Sequence, residues 1–536
     1  MRHDPRVADL LVVAPILTGD PARPRAEAAL ARDGVFAAVG SSADCERLAR
    51  RGAVRIEAGG GVPGLADAHG HLALLGRWRA EVRLAGAEDA EICAARVAER
   101  ARTTPPGRWL RGSGWDQNRW PGAGFPSAAA LTRAVPHHPA ALSRVDGHAL
   151  WVNAPALAAA AIDARTPDPP GGRILRDSDG RPSGVLVDAA QELVLARIPP
   201  PGPAELEDAI RAALAELARV GLTSVHDAGV TADVLTVLRR LAGEDRLPVR
   251  VHAMLDGERP LRELLEAMAE ARGAPEVGRL GVVRTVKLFA DGALGSRGAA
   301  LHEDYADDPG NRGLLLAEPA ALAARVAAVA AAGLQPAVHA IGDRAVTIVL
   351  DALERAARTA DVPSLRPRLE HLQLVLPHDV GRLVRVGAIA SMQPVHVASD
   401  GPWLAARLGA RTDRLRGAFA WRTLVSAGVP LAFGSDFPVE DPDPRAGLAA
   451  AETRAARGGL PFRPEERLSR EEALAAFTRG AAYAAFAERR RGIVREGMDA
   501  DLTLFARDLA ACPADALREL AVTHTIVGGR IEYEAR

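Results

Sequence analysis

The middle of this 536-residue chain alternates between short apolar runs and alanine-rich amphipathic segments. Each amphipathic segment has apolar residues at helical spacing and follows an apolar run of strand length. Helices are predicted over residues 205–220, 260–272, 319–332, 346–359 and 470–486. This alternation is typical of βα units around a parallel sheet, and the chain length fits a barrel with additions. We therefore predict an α/β protein built on a TIM (β/α)8 barrel.

The two ends of the chain differ from the middle, because they contain short strand-like runs separated by turn residues. These runs cover residues 8–13, 35–40, 54–56, 501–505, 522–527 and 530–533. We expect residues 1–62 and 490–536 to form one composite β-sandwich, with the barrel over residues 63–489. An insertion at about 77–215, rich in Trp, Pro and Gly, is predicted to cover the barrel mouth; a plain surface excursion is the alternative.

Composition excludes several classes of partner. The formal net charge is -1 and 48% of the residues are hydrophobic, which gives no sign of a nucleic-acid-binding surface. Three widely spaced cysteines form no CxxC pair, so neither a disulfide framework nor a thiolate zinc site is indicated. The apolar stretch Leu10 to Val13 is too short for a signal-peptide core or a membrane span. We expect a cytoplasmic protein that acts on a small molecule, and a homodimer is the base-rate expectation.

Histidine, lysine and aspartate side chains stand where the predicted strands end. The motif His69-x-His71 is a weak signal alone, although the two imidazoles of an extended His-x-His lie on one side of the chain. Other runs carry Lys287, His339, His371 and Asp436 at or near their ends. A polar group at the end of a buried strand is costly unless it is paired or binds a metal. Because strand ends meet at one face of a barrel, these six residues predict a metal centre.

The residue types suggest two cations. We expect His69, His71 and Asp436 to bind the first, and His339 and His371 to bind the second. Zn²⁺ fits nitrogen and carboxylate ligands best, while Mn²⁺, Fe²⁺ and Co²⁺ also fit.

Lys287 has two interpretations. It is either a core lysine in a salt bridge, with Asp291 as the nearby partner, or a deprotonated amine that captures carbon dioxide. The resulting carbamate would bridge two cations through its two oxygens. A hydroxide held by such cations is a strong nucleophile at neutral pH. Asp436 could then take its proton and deliver it to a leaving nitrogen as general acid/base.

Several longer segments resemble the amidohydrolase superfamily, and specifically the YtcJ-like branch of amidohydrolase-3 proteins, which includes N-substituted formamide deformylases. They are residues 63–71, 221–229, 286–297, 339–345, 368–373 and 434–439. The lysine-centred segment and Gly342-Asp343-Arg344-Ala345 are the most specific to the branch, whereas His-x-His marks only the superfamily. The resemblance implies a metal-dependent TIM-barrel hydrolase with a β-sandwich made from both chain ends.

Other polar and aromatic residues are candidates for substrate contacts. The segment 146–148, with Asn153, resembles an Asp-Gly-His segment of the branch, and the resemblance gives His148 a place in the substrate cavity; a turn or capping role is the alternative. The remaining candidates are Asp291 and Arg297 beside the lysine strand, Gln393 and His396 at another strand end, and Trp115 in the insertion. Asp291 and Arg297 could instead orient the ligands.

These features favour hydrolysis of a non-peptide carbon–nitrogen bond in a small molecule. An esterase, lactonase or phosphotriesterase stays open, because the same hydroxide attacks those substrates. A mononuclear deaminase is disfavoured, since it needs a His-x-x-Glu segment and gives Lys287 no role; here Asp343 follows His339 one turn later. A catalytically inactive binding module is also disfavoured, because all six candidate ligands are present.

Overall fold

The structure is a computed structural model, and it describes residues 8–122, 124–145, 148–169, 171–273, 275–410, 412–456 and 460–535. Asp146 and Gly147, which belong to one predicted substrate segment, lie outside the described residues. The chain divides into two compact units. The first contains the described residues up to Leu75 and from Ile210 onward, and the second is Gly76–Ala209.

The described residues form strands along the whole chain. In chain order they are β1 (Leu10–Leu17), β2 (Arg25–Arg32), β3 (Val35–Gly40), β4 (Val54–Glu57), β5 (Gly60–Pro63), β6 (Leu65–Gly70), β7 (Val82–Arg83), β8 (Leu110–Trp115), β9 (Ala140–Arg144), β10 (Ala149–Val152), β11 (Gly172–Arg176), β12 (Pro182–Asp188), β13 (Leu222–Val230), β14 (Arg250–Asp256), β15 (Thr285–Phe289), β16 (Gln335–Ala340), β17 (Arg368–His371), β18 (Ile389–Met392), β19 (Leu431–Phe433), β20 (Leu502–Phe505), β21 (Val522–Val527) and β22 (Arg530–Glu534).

Helices occupy much of the remaining chain. They are α1 (Ser42–Leu48), α2 (Leu72–Ala80), α3 (Ala90–Ala101), α4 (Ala128–Ala134), α5 (Ala154–Ala159), α6 (Glu192–Leu195), α7 (Pro203–Arg219), α8 (Ala232–Gly243), α9 (Leu261–Gly273), α10 (Pro319–Ala331), α11 (Asp343–Ala356), α12 (Val362–Leu365), α13 (Pro377–Arg385), α14 (His396–Leu408), α15 (Asp413–Arg416), α16 (Trp421–Ser426), α17 (Pro444–Thr453), α18 (Arg470–Ala475) and α19 (Ala481–Ala484).

Four of the five predicted helices are single helices, namely α7, α9, α10 and α11. The fifth, predicted over residues 470–486, is divided: the π-helical turn Ala476–Gly480 separates α18 from α19. Gly480 lies in this turn, and a Cβ there would come within 2.1 Å of the Leu431 carbonyl oxygen. Its close approach to β19 explains why the helix changes its winding at this point.

Eight parallel strands form the barrel, in the order β6, β13, β14, β15, β16, β17, β18 and β19. Most of their residues are buried, as expected for parallel strands covered on both faces. The first and last strands meet where Gly70 pairs with Phe437, which brings the barrel near closure. The predicted barrel and the ends of its strands are therefore confirmed.

Strands from both chain ends form one further sheet in the first unit. Its order is β22, β21, β20, β5, β1, β2 and β3, with β4 paired to β1. The C-terminal strand β20 pairs antiparallel with β5, which leads directly into barrel strand β6. Side chains of this sheet bond to the barrel base: Thr503 Oγ1 donates to the Gly221 carbonyl and Thr525 Oγ1 to the Ala218 carbonyl. The predicted composite β domain is thus present.

The second unit contains its own six-stranded sheet, in the order β11, β12, β10, β9, β8 and β7. Helices α3 and α4 pack with this sheet around a core that includes Trp115, Trp120 and Trp151. The inserted α/β segment completes the predicted fold class. That it covers the barrel mouth stays a prediction.

The structure agrees with two other expectations from composition. The three cysteines are buried and free. In the part of the chain that the structure describes, no helix has the length and apolarity needed to cross a bilayer.

Candidate metal centre

Closure of the barrel places the end of β19 against the end of β6. The Asp436 amide donates to the His69 carbonyl at 2.8 Å, and the His71 amide donates to the Phe437 carbonyl at 3.0 Å. Gly434 makes this approach possible, because a Cβ there would lie 2.5 Å from both Asp67 Oδ1 and the His69 amide nitrogen. The first and last strands thereby deliver His-x-His and Asp436 to one place.

His69, His71 and Asp436 form a compact group, with one ligand atom from each within 4.8 Å of the others. Asp436 Oδ1 lies 3.2 Å from His71 Nε2 and 3.7 Å from His69 Nε2. Asp436 is 8% exposed and His69 is fully buried. This is the donor set that sequence analysis predicts for a first cation.

The other three predicted ligands lie beside this group. His371 Nδ1 is 3.9 Å from Asp436 Oδ2, and the His371 ring centre is 4.8 Å from that of His69 and 4.5 Å from that of His339. Lys287 Nζ is 3.3 Å from His69 Nε2. The structure thus brings all six predicted side chains to the carboxyl ends of five barrel strands.

Hydrogen bonds at one ring nitrogen orient each imidazole. His69 Nδ1 donates to Glu370 Oε2 at 2.5 Å, and His71 Nδ1 donates to the Ala228 carbonyl at 2.9 Å. His371 Nδ1 donates to Gln393 Oε1 at 2.9 Å. In His69 and His371 this leaves Nε2 unprotonated, which is the form that binds a metal, whereas His71 Nε2 lies 3.2 Å from Asp436 Oδ1. His339 differs, because its Nε2 lies 3.4 Å from the Gly292 carbonyl and leaves Nδ1 for the centre.

Burial favours the neutral form of His69, His339 and His371. It lowers the pKa of His69 to about 4 and that of His339 to about 3, and the charge of Lys287 acts in the same direction on both. The pKa of His371 is held well below its usual value by burial and by His339. Neutral imidazoles that cannot be protonated near pH 7 are suited to metal binding.

The environment of Asp436 favours its ionised form. Burial alone would raise the pKa of Asp436, but the hydrogen bond from His71 and the neighbouring rings of His371 and His69 hold it well below its usual value. The residue also has a positive φ of 61°, which is uncommon for a side chain larger than glycine. His371 shows the same feature, with φ of 72°. Strained backbone of this kind concentrates at functional sites.

Lys287 does not form the salt bridge with Asp291 that one interpretation expects. Asp291 instead accepts the backbone amides of Ile341, Gly342 and Ala300, at 3.0, 2.8 and 2.9 Å. Among the described residues Lys287 has no carboxylate within ion-pair distance, although it is 1% exposed. Burial lowers the pKa of Lys287 to about 8, against the opposing charges of Glu370 and Asp436. About a tenth of this amine is therefore unprotonated at pH 7, which is far more than in an exposed lysine.

Sequence reasoning missed the residues that support His69. Glu370 and Arg368 are fully buried, and Arg368 Nε lies 2.7 Å from Glu370 Oε1. Arg368 also donates to the Ala68 carbonyl at 2.6 Å and to His226 Nδ1 at 2.9 Å. A signal was available: two opposite charges at alternate positions of a four-residue buried strand need each other as partners.

Asp67 is a second residue that sequence reasoning overlooked. It accepts the Ser435 hydroxyl at 2.6 Å and the backbone amides of Ser435 and His69. Burial raises the pKa of Asp67 to about 7. By bonding to both β6 and the segment after β19, this side chain fixes the two strand ends that carry His69 and Asp436.

The substrate candidates of the first unit divide into two groups. Gln393 is 1% exposed and holds His371, and Asp291 is fully buried, so both orient neighbouring groups rather than present a surface. His396 lies parallel to His371, with ring centres 6.4 Å apart, and its Nδ1 accepts from Gln373 Nε2 at 3.2 Å. Arg297 is partly exposed and pairs with Asp307 at 3.0 Å.

The two candidates in the inserted segment differ in their exposure. Trp115 has no exposed surface; its Nε1 donates to the Leu142 carbonyl at 2.8 Å and its ring packs on Trp120. We correct its predicted substrate contact to a core role, because a fully covered ring cannot touch a ligand. His148 is exposed and its Nδ1 lies 2.8 Å from Asp188 Oδ1.

Comparisons with known proteins agree with this geometry. Residues 56–533 match the model of the amidohydrolase family. The chain is 34% identical over 528 residues to the putative amidohydrolase YtcJ of Bacillus subtilis, covering 95% of this chain and 96% of the relative. It is 28% identical over 551 residues to the N-substituted formamide deformylase of Arthrobacter pascens, covering 99% of each.

The fold comparison agrees as well. The crystal structure of an uncharacterised metal-dependent hydrolase from Pyrococcus furiosus superposes with a TM-score of 0.78 at 29% identity, covering 93% of this chain and 99% of that one. The family match spans most of the sequence, and the barrel carries a His-His-Asp group that could hold a metal ion. The chain therefore belongs to the amidohydrolase family and is a metal-dependent hydrolase of carbon–nitrogen bonds.

Proposed function

We propose that the protein hydrolyses a non-peptide amide bond of a small molecule at a two-metal centre, with Asp436 as general acid/base. The observation that carries the proposal is the convergence of four imidazoles, an ionised carboxylate and a buried lysine on one group of strand ends, where the lysine has no carboxylate partner among the described residues. The relative that deformylates N-substituted formamides makes such amides the first substrates to test.

The donor set fits two borderline cations. We assign His69, His71 and Asp436 to the first and His339 and His371 to the second, with carboxylated Lys287 between them. Zn²⁺ is the expected metal, and Mn²⁺, Fe²⁺ and Co²⁺ suit the same atoms. When bound, the metals would lower the pKa of water and polarise the substrate carbonyl.

The burial of Lys287 supports its carboxylation. Nζ must lose a proton before it can attack carbon dioxide, and the low pKa of this amine makes that step accessible near neutral pH. The carbamate would replace a cation with an anion among four imidazoles. Its formation would therefore remove the electrostatic conflict between an ammonium and bound metal ions.

Asp436 supplies the proton transfers in this scheme. One carboxylate oxygen faces His71 Nε2 and the other lies toward His371, so the group sits between the two sets of imidazoles. It would accept the proton of the attacking water and release it to the leaving nitrogen. Gln393 and Asp291 would hold the surrounding groups in place, while His396, Arg297 and His148 remain proposed substrate contacts.

Metal analysis combined with a substrate panel tests the proposal. The purified protein should contain transition metal, and it should hydrolyse members of a panel of N-substituted formamides and other small linear or cyclic amides. Chelation should abolish turnover, and added Zn²⁺ should restore it. Matched esters and lactones in the panel separate amidase from esterase activity.

A variant of Lys287 tests the proposed carboxylation of this side chain. A Lys287→Ala variant should lose turnover and regain part of it with a short carboxylic acid in the buffer, since a free carboxylate can stand in for the carbamate. A wild-type protein without bound transition metal and without metal-dependent turnover of any amide or ester would overturn the proposal.

A further inference from the structure

A cavity of about 200 Å³ lies at the amino end of the barrel, in the first unit. Its wall includes His226 and His252 inside the barrel and Arg250, Arg284 and Arg491 around its rim. The cavity is separate from the proposed metal centre, which is built from the opposite, carboxyl ends of the strands. Its volume would hold several water molecules or one small ion.

Three of the four guanidinium groups at this cavity are neutralised by carboxylates. Arg250 makes two hydrogen bonds to Asp501, at 2.8 and 2.9 Å. Arg490 lies 3.0 Å from Glu276, and Arg491 lies 2.8 Å from Asp499.

Arg284 is the exception. Its guanidinium stacks on the Phe486 ring at 4.7 Å, and among the described residues it has no hydrogen bond and no ion pair. One positive charge of the cavity is therefore uncompensated. A guanidinium that lines a partly enclosed space without an acidic partner is suited to bind an anion.

His226 adds a directed donor to the cavity. Its Nδ1 must accept from Arg368, because a guanidinium can only donate, so its proton is on Nε2. Nε2–H has no partner among the described residues, although the side chain is 1% exposed. Because His226 is part of the cavity wall, a molecule in the cavity could supply the acceptor that this N–H lacks.

The free ring nitrogen of His252 is an acceptor, unlike that of His226, and a chain of hydrogen bonds determines this. Gln335 Nε2 donates to the carbonyls of Arg366 and Ala484, so its Oε1 accepts from the Thr285 hydroxyl at 2.6 Å. Thr285 Oγ1 must then accept from His252 Nε2–H at 2.8 Å. Nδ1 of His252 is thus a bare acceptor, and it has no partner among the described residues.

The electrostatic environment agrees with an anion. Burial lowers the pKa of His252 to about 3, and the charges of Arg368, Arg284 and Arg491 lower it further. The ring stays neutral chiefly because it is buried, and the nearby guanidinium groups further disfavour a positive charge on it. An anion in the cavity would offset that potential.

We propose that this cavity binds a small oxyanion that still carries a proton, of the hydrogen phosphate or bicarbonate type. Its anionic oxygens accept from Arg284 and from His226 Nε2–H, and its hydroxyl donates to His252 Nδ1. Sulfate has the charge but lacks the proton at neutral pH, so it leaves His252 Nδ1 unpartnered. This site goes beyond the proposed hydrolytic function and does not depend on it.

Equilibrium dialysis of the metal-loaded protein with radiolabelled inorganic phosphate tests the proposal. We expect the wild type to bind one phosphate that survives competition by an equal concentration of sulfate. Arg284→Gln should weaken binding at least about tenfold, and Arg284→Lys should retain part of it because the charge remains. The matched control is Arg358→Gln, which removes an exposed charge outside the cavity and should leave binding unchanged.

Thermal melting and metal content, measured on each variant, show whether it is folded. If Arg284→Gln does not fold, the Arg284→Lys variant and the competition with sulfate test the proposal instead. Phosphate bound at the metal centre would be retained in Arg284→Gln, and that result would overturn the site. Sulfate competing as well as phosphate would contradict the role of His252, and an absence of phosphate binding up to millimolar concentrations would show that the cavity holds water only.

Discussion

The interior of the barrel and the core of the inserted segment are equally sealed from solvent but have opposite chemistry. In the barrel, Arg368 and Glu370 are fully buried as a charged pair. In the inserted segment, Trp115 and Trp151 are fully buried in an aromatic cluster.

Burying aromatic rings stabilises a fold directly, whereas burying an ion pair carries a desolvation cost that often exceeds its attraction. The charged interior therefore needs an explanation other than stability. Its contact with His69 supplies one, because it holds a metal-type ligand in a single orientation. Substitutions in the barrel interior should accordingly impair both stability and metal binding, whereas substitutions in the aromatic core should impair stability alone.

The largest effect on activity is expected at Asp436, which faces the proposed metal centre and is the proposed general acid/base. Asp436→Asn keeps the size of the side chain but removes the carboxylate, and kcat should fall about 10³-fold or more. Steady-state kinetics on any amide that the wild type hydrolyses measures this. Asp441→Asn, an exposed change in the same loop, should leave kcat within about twofold; comparable activity in the two variants would remove Asp436 from the mechanism.

Next in size is the buried ion pair. Glu370→Gln leaves Arg368 charged without its partner, which should cost about 3–5 kcal/mol of stability. Loss of the negative charge on the acceptor for His69 Nδ1 should also weaken metal affinity about 10- to 100-fold. Denaturant unfolding and competition with a chelator measure these two effects. The control Glu354→Gln breaks a surface ion pair with Arg382, and it should change stability and metal affinity little. If Glu370→Gln kept the metal affinity of the wild type, the Arg368–Glu370 pair would have a structural role only.

A smaller effect, confined to stability, is expected in the aromatic core. Trp115→Phe removes the indole N–H and leaves the Leu142 carbonyl without its donor, which should cost about 2 kcal/mol. Metal content of the folded protein should not change. Limited proteolysis should show cleavage within 76–209 before the rest of the chain. If KM rose while stability stayed constant, Trp115 would be a substrate residue after all.

The sequence alone predicts part of this structure, and other parts depend on contacts between distant segments. Strand-length runs and amphipathic segments were enough to place the barrel, because their periodicities differ. The same runs located the six candidate ligands, since each stands at a strand end. The pairing of Arg368 with His226 could not be predicted, because it joins strands that are not neighbours in the sheet and meet only across the barrel interior. The π-helical turn was missed for a similar reason, as it depends on the approach of Gly480 to β19.

The smallest effect on stability is expected at the ion pair between Asp9, which is buried, and Arg32, which is partly exposed. Asp9 accepts Arg32 Nη2 at 2.6 Å and Nε at 3.0 Å, and that bonding holds the pKa of Asp9 below its usual value. A carboxyl with a lowered pKa in the folded state stabilises the protein above its unfolded pKa, and this contribution is lost as the pH falls through the folded pKa.

Asp9→Asn should therefore cost about 1 kcal/mol at pH 7, and this cost should shrink as the pH falls through the lowered folded pKa of Asp9. Urea unfolding over a series of acidic pH values, compared with pH 7, tests this. A difference between variant and wild type that is independent of pH would indicate a packing effect instead.

The central claim is that six side chains at the barrel mouth form a two-metal centre around a carboxylated lysine. The most direct test is a crystal structure of the protein loaded with Zn²⁺, with anomalous diffraction recorded at the zinc edge. We expect two anomalous peaks, one beside His69, His71 and Asp436 and one beside His339 and His371, with carbamate density on Lys287 between them. A single peak with unmodified lysine density would contradict it.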